Sequence, residues 1–201
     1  MHEVRKPVPP SVYRLKITLR DVQPAVWRLI DVLGDTTLPS LHRILQIAMG
    51  WENSHLHAFK AGSVTYGSSD PDFDLRFTSE RSVRLDEIVR AAKQRFTYDY
   101  DFGDGWTHDV LVQSVEPPDP ESTYPRFLDG RNACPPEDVG GPPGYQAFLE
   151  AFSDPNHEEH REMVEWIGGR FSPHVVDAGS IETGLARLAA AAAKKARLRR
   201  A

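Results

Sequence analysis

A single cysteine, Cys134, stands in this chain of 201 residues. That excludes an internal disulfide framework and fits a reducing cytoplasm. Long apolar runs are equally missing. None approaches the roughly 18 residues that a membrane span requires, and the opening MHEVRKPVPPSV lacks the apolar centre of a secretory signal. No membrane partner is therefore expected. Charge is unevenly distributed along the chain. Five basic residues fall in Lys194–Arg200, so removing them takes the formal net charge from −5 to about −10. Tyr98–Glu165 is the extreme, with sixteen acids against Arg126, Arg131 and Arg161, a balance of about −13. A body of this sign repels a phosphate backbone, so nucleic acid is an expected partner only for the basic tail.

What is present reads as one globular unit. Val12–Arg20 alternates, with Tyr13, Leu15, Ile17 and Leu19 on one face, which predicts a half-buried strand. Val26–Val32 follows a turn at Asp21–Pro24 as its antiparallel partner. The period then changes: Leu41, Ile44, Leu45 and Ala48 mark an amphipathic helix over Leu38–Gly50, with Thr37 as N-cap and Gly50 as stop. His55, His57 and Phe59 alternate with Leu56, Ala58 and Lys60 as a short strand. Ser68–Thr78 reads as a polar loop, and Leu85–Ala92 as a short helix with Leu85, Ile88, Val89 and Ala92 inward. Tyr98–Val110, YDYDFGDGWTHDV, predicts a hairpin. Tyr98, Tyr100 and Phe102 face one way, GDG reverses the chain, and Trp106, His108, Val110 and Val112 share a face of the returning strand. Glu116–Tyr145 is rich in proline and glycine and reads as one long, ordered loop. Tyr145–Phe152 and His157–Ile167 predict short helices, capped by Asp154 or Asn156. Ser180–Leu198 predicts a last helix that opens on an imperfect capping box at Ser180.

These elements give an α+β class: a single compact domain whose antiparallel sheet packs against several short helices. Its expected limits are a flexible leader over residues 1–11, a domain over 12–188 and a basic tail over 189–201.

Residues able to carry chemistry gather in a few stretches. Trp51, His55 and His57 follow the first long helix; Asp101, Asp104, Trp106 and His108 belong to the hairpin; Glu137 and Asp138 lie in the long loop. His55 and His57 on one strand face, or His157 and His160 one helical turn apart, have the ligand types of a metal centre, joined by Asp101 and His108. The HExxH spacing of zinc proteases is absent. The same aspartates also suit turn and cap positions, and the same histidines suit a half-buried strand. Cys134 with His108 as base would make a nucleophile, but the surrounding acids oppose a thiolate. Trp51, Tyr98, Tyr100, Trp106, Trp166 and Phe171 suit a core or the walls of a ligand cleft. The motif GDGW thus turns a hairpin and offers Asp104 and Trp106 at a rim.

Four motifs taken together, at Thr37–Phe59, Tyr98–Val110, Ala133–Tyr145 and Asp154–Pro173, resemble in order and spacing the plasmid pRiA4b ORF-3-like family. The resemblance covers roughly residues 12–188. It implies a compact α+β domain from a mostly bacterial group often carried on plasmids and mobile elements, with no assigned biochemical function. Some members carry the label of transposon resolvase. This chain gives it no support, because a nucleophilic serine or tyrosine backed by clustered arginines is missing. The DFG at Asp101–Gly103 likewise lacks the remaining kinase motifs.

No complete catalytic constellation is legible, so a non-catalytic binding or interaction module is the first expectation, with an unidentified ligand or protein partner. A metal-dependent hydrolase using the histidine and carboxylate set is the second. A nucleic-acid accessory protein acting through the tail is the third. The sequence assigns no cofactor.

Overall fold

The alternation near the start of the chain becomes the middle of a sheet. The computed structural model describes residues 10–68, 76–168 and 171–198. Strands β1 (Val12–Leu19) and β2 (Trp27–Leu33) are antiparallel neighbours, and helix α1 (Leu38–Met49) follows. Three short strands come next, β3 (His57–Ala61), β4 (Val64–Gly67) and β5 (Thr78–Ser79), then the single-turn helix α2 (Leu85–Ile88). The hairpin β6 (Arg95–Tyr100) and β7 (Trp106–Glu116) leads to β8 (Arg126–Arg131). Helices α3 (Gly141–Ser153), α4 (His160–Trp166) and α5 (Ala178–Leu198) complete the order. The strands form one sheet, β5-β4-β3-β6-β7-β1-β2-β8, antiparallel throughout except that β4 and β5 run parallel. Among the described residues, no helix is long and apolar enough to cross a membrane.

One face of this sheet holds the core. Leu15, Ile17, Ile30, Tyr98, Val110 and Val112 are buried there, in one cluster with Leu38, Leu41, Ile44 and Leu45 of α1. Each such aliphatic side chain taken out of water contributes about 1.5–3 kcal/mol. Gly50 ends α1 in the left-handed conformation, as the sequence predicts, with its N–H donating to Gln46 O. Thr37 has N-cap geometry, but its hydroxyl meets Ser40 Oγ and not a backbone N–H.

Several expectations need correction. Glu116–Tyr145 is not a single loop: β8 pairs with β2 in its middle, and α3 begins at Gly141. The prolines after Gly141 occupy the first turn of α3, where a missing N–H costs nothing. Val64–Gly67 is a strand that short length and weak alternation conceal. Helix α2 stops after Ile88, and Ala92 is exposed. α4 begins at His160 and not at His157. Asp177, and not a capping box, opens α5 by accepting from Ser180 N and Oγ. Phe102 lies in the hairpin tip, 42% exposed, because the strand has already ended at Tyr100. Of the expected polar loop, residues 69–75 lie outside the described residues, as do 1–9 of the leader and 199–201 of the tail. Helix α5 carries both the end of the expected domain and the start of the basic stretch.

Three arginines act as rivets, one on the core face and two on the other. Arg28, 2% exposed, donates from Nε to Ala48 O and from Nη1 to the carbonyls of Trp27, Arg131 and Asn132. A buried guanidinium with one bond to a carbonyl in the last turn of α1, at Ala48, gains from the helix dipole as well as from its hydrogen bonds. On the opposite sheet face, Asp31 is buried beneath Arg14 and Arg126, which both donate to it from Nε and Nη2. Asp31→Asn removes the charge that both arginines share, and should lower stability by about 2 kcal/mol. Arg14→Gln should cost less, because Arg126 still holds the carboxylate. Equilibrium urea unfolding of the two variants checks the order.

A candidate metal centre at the hairpin tip

The three segments that end or begin at the edge of the core converge on one point. After Gly50, the chain carries Trp51, Asn53 and His55 past the end of α1 before β3 starts. Tyr100 ends β6, and Asp101 takes a left-handed conformation, φ 54°, to begin the turn. Its N–H donates to Leu56 O, while its Oδ1 accepts from the N–H groups of Gly103 and Asp104. The proline- and glycine-rich segment then closes over the tip. Gly140 N–H donates to Asp104 Oδ2, and Trp51 Nε1 donates to Pro135 O. Gly141, at φ +70°, fits so tightly that an added Cβ would lie 2.3 Å from Asp104 O.

At the centre stands His55. Its Nε2 lies 3.1 Å from Asp138 Oδ1, 3.5 Å from Asp101 Oδ2 and 3.6 Å from Glu137 Oε2. The ring is part-exposed, yet Nε2 itself is buried and makes no aligned hydrogen bond with any described group. A lone pair or N–H facing three carboxylates without alignment is an ion-coordinating geometry more than a hydrogen-bonding one. His55, Asp101 and Asp138 each offer a donor atom within 4.8 Å of the others, the one such group among the described residues. Glu137 is held more firmly: its Oε1 accepts from Tyr100 OH and from Glu52 N–H, leaving Oε2 toward the cluster. Burial, with Glu137 adding to it, pushes the Tyr100 phenol up to about 12, so it stays a donor.

Behind the cluster lies a second polar layer. Gln46 Nε2 donates to Tyr98 OH, which donates to His42 Nδ1; His42 Nε2 donates to Asn53 Oδ1, and Asn53 N–H returns to Gln46 Oε1. This closed ring needs a neutral His42, and burial lowers its pKa to about 4. His57 stacks on His42 with ring centres 3.6 Å apart and directs Nε2 to Glu80. His108 is wholly buried; its Nδ1 must donate to Tyr98 O, so its orphaned Nε2 carries a lone pair. Burial holds it neutral too, with a pKa of about 4.

The expected candidates therefore separate. His55, Asp101, Glu137 and Asp138 meet, with Asp104 buttressing the tip. His55 and His57 do not share an ion: His55 precedes β3, and His57 turns to Glu80. His157 and His160 lie on another part of the surface, where His160 Nδ1 donates to Ala151 O and His157 Nδ1 accepts from Glu159 N–H. Trp51 and Trp106 are core residues, not rim residues, packed against each other and, for Trp51, Tyr100 and His108. Cys134 is half-buried beside Arg28 and Glu137, and burial pushes its thiol up, away from a nucleophilic role. His42, Gln46 and Glu80 are the residues sequence reasoning missed. His42 and Gln46 occupy inward positions of α1 beside Leu41 and Leu45, so a signal was available there.

Comparison with known proteins gives a consistent picture. The family described as "Plasmid pRiA4b ORF-3-like protein" matches residues 11–180. The uncharacterized protein y4hQ of Sinorhizobium fredii (strain NBRC 101917 / NGR234) is 40% identical over 189 residues, covering 93% of this chain and 97% of that one. The crystal structure of MM3350 from Methanosarcina mazei Go1, titled a protein of unknown function, superposes with a TM-score of 0.77. It is 31% identical and covers 85% of this chain and 97% of its own.

Two predictions follow from this geometry. His42 and His108 have folded pKa values below the unfolded value near 6.5, so the unfolded chain binds more protons between the two. Their contribution is complete above about pH 6.5 and is lost as pH falls towards 4, by about 3 kcal/mol for each. Melting temperatures from pH 7.5 to 4.5 should fall, and His108→Leu should shallow the slope by one proton. Gly141→Ala should cost about 1–3 kcal/mol in urea unfolding, from its left-handed backbone and the contact with Asp104.

Proposed function

The chain belongs to the plasmid pRiA4b ORF-3-like family, and we propose that it is a divalent-cation-binding protein centred on His55, Asp101 and Asp138, with Glu137 as a fourth oxygen donor. One observation carries the reading: a buried imidazole nitrogen without an aligned partner faces three carboxylates from two separate segments. Such a group of like charges is relieved by a cation. One imidazole among oxygen donors suits manganese, iron or zinc better than magnesium, which prefers oxygen and water alone.

Asp138 is the exposed member, 73% for its side chain, so the centre opens to solvent on that side. An ion held there would be open on that side to water or to a ligand. This supports a binding module that recognises its ligand through the ion. It equally supports metal-dependent hydrolysis: a cation held there would activate water, and Glu137, its Oε1 fixed by Tyr100 OH and the Glu52 N–H, would then hold the released proton at Oε2 instead of serving as the fourth donor. A plasmid or mobile-element setting draws support from the family's description alone, and a cytoplasmic one from the lone cysteine. The basic stretch from Lys194 supports a nucleic-acid role only by its charge.

Calorimetric titration of chelator-treated protein with Mn2+, Zn2+ and Mg2+ tests the centre. One Mn2+ or Zn2+ per chain is expected, with Mg2+ weaker and the melting temperature raised by the ion. His55→Ala and Asp101→Asn should each weaken binding by at least the roughly 10–100-fold that loss of a group merely supporting a ligand costs. Equal affinity in both variants, or no binding by the parent chain, would remove the basis of the proposal.

A further inference from the structure

Next to the cluster, α3 and α4 enclose a groove of about 400 Å³ that shares Asp138 as a wall. Its floor is apolar, built from Phe148, Met163 and Trp166, and its rim carries Asp138, Glu159 and Glu162. Phe148 is buried, but Trp166, which meets it edge-on at 5.7 Å, is left 48% exposed. Neither Glu159 nor Glu162 has an ion pair among the described residues. The groove also lies within the most acidic part of the chain.

These features select a ligand by sign and shape. An anion is repelled by the rim, and a neutral apolar group gains only the floor. A cation on an aliphatic stem gains both, because its stem lies on Phe148 and Met163 while its head meets the acids and the face of Trp166. The half-open tryptophan makes this a surface trough, in which a small free amine stays largely hydrated. A polypeptide adds backbone contacts along the rim and excludes more water. We propose that the groove between α3 and α4 binds an arginine or lysine side chain of a partner polypeptide. The proposal does not rest on an ion in the neighbouring centre, since Glu159, Glu162 and Trp166 lie outside it.

The test is an NMR titration of the full, chelator-treated chain, reading the Trp166 indole, which is assigned by Trp166→Phe. The probes are the blocked pentapeptide Gly-Gly-Arg-Gly-Gly and its citrulline counterpart, which keeps the shape and loses the charge. The arginine peptide should shift the indole saturably, with a Kd of about 1 mM or below, and citrulline should bind about ten-fold more weakly. Glu159→Gln/Glu162→Gln should weaken the arginine peptide by a similar factor at an unchanged melting temperature. Equal binding of citrulline, or an undiminished response in the double variant, would overturn the proposal. Agmatine binding ten-fold tighter than the peptide would overturn the peptide as source. The double variant leaves His55, Asp101 and Asp138 untouched, so failure here is separate from failure of the cation centre.

Discussion

The carbonyl cradle around Arg28 decides where everything else goes. One guanidinium, sunk in the interior, ties the last turn of α1 to β2 and to the residues that leave β8. Burial of such a charge is tolerated only when its donors are used, and its Nε and Nη1 are engaged by backbone oxygen. The direction in which the chain departs after Arg131 is therefore fixed from inside. From there it needs only a few residues to set Pro135 O on Trp51 and Glu137 on Tyr100. The carboxylates at the tip are placed by that path and not by their own attraction, which among like charges is repulsive.

Polar groups continue through the layer beneath. The ring from Gln46 through Tyr98, His42 and Asn53 spends every donor and acceptor it involves on another member, so it fixes the approach of the segment after α1 as firmly as packing would. His55 stands two residues beyond Asn53. Its position is set by that network together with the Glu52 N–H on Glu137 and Leu56 O, which accepts from the Asp101 N–H. That arrangement is what a rigid centre requires, because ligands supported by a second set of hydrogen bonds keep their geometry.

Much of the fold was readable because periodicity encodes it. β1, α1 and the β6–β7 hairpin bury one face each, and Tyr13, Leu41 and Val110 report it directly. β8 escaped because an edge strand of sequence RFLDGR has no buried face of its own. It is made by pairing with β2 and by Arg126 reaching Asp31, ninety-five positions away. The start of α3 escaped because Pro142 and Pro143 resemble loop punctuation, although a first helical turn accepts them. For the site, residue types were the legible part: His55, Asp101, Glu137 and Asp138 were all among the candidates. Convergence was not legible, since it depends on where three irregular segments travel. His157 and His160 have good ligand spacing and still stand outside the cluster, bonded to the backbone at Glu159 and Ala151.

Asp138 carries a consequence of its own. A single carboxylate that belongs both to the His55 cluster and to the groove would make their occupancies interdependent. Whatever cation settles beside His55 cancels charge that the neighbouring groove would otherwise present. By thermodynamic reciprocity, whatever occupies the groove must loosen that cation by the same factor. With both occupied as proposed, the two sites would behave as antagonists, and the more strongly held occupant would set how far the other could fill.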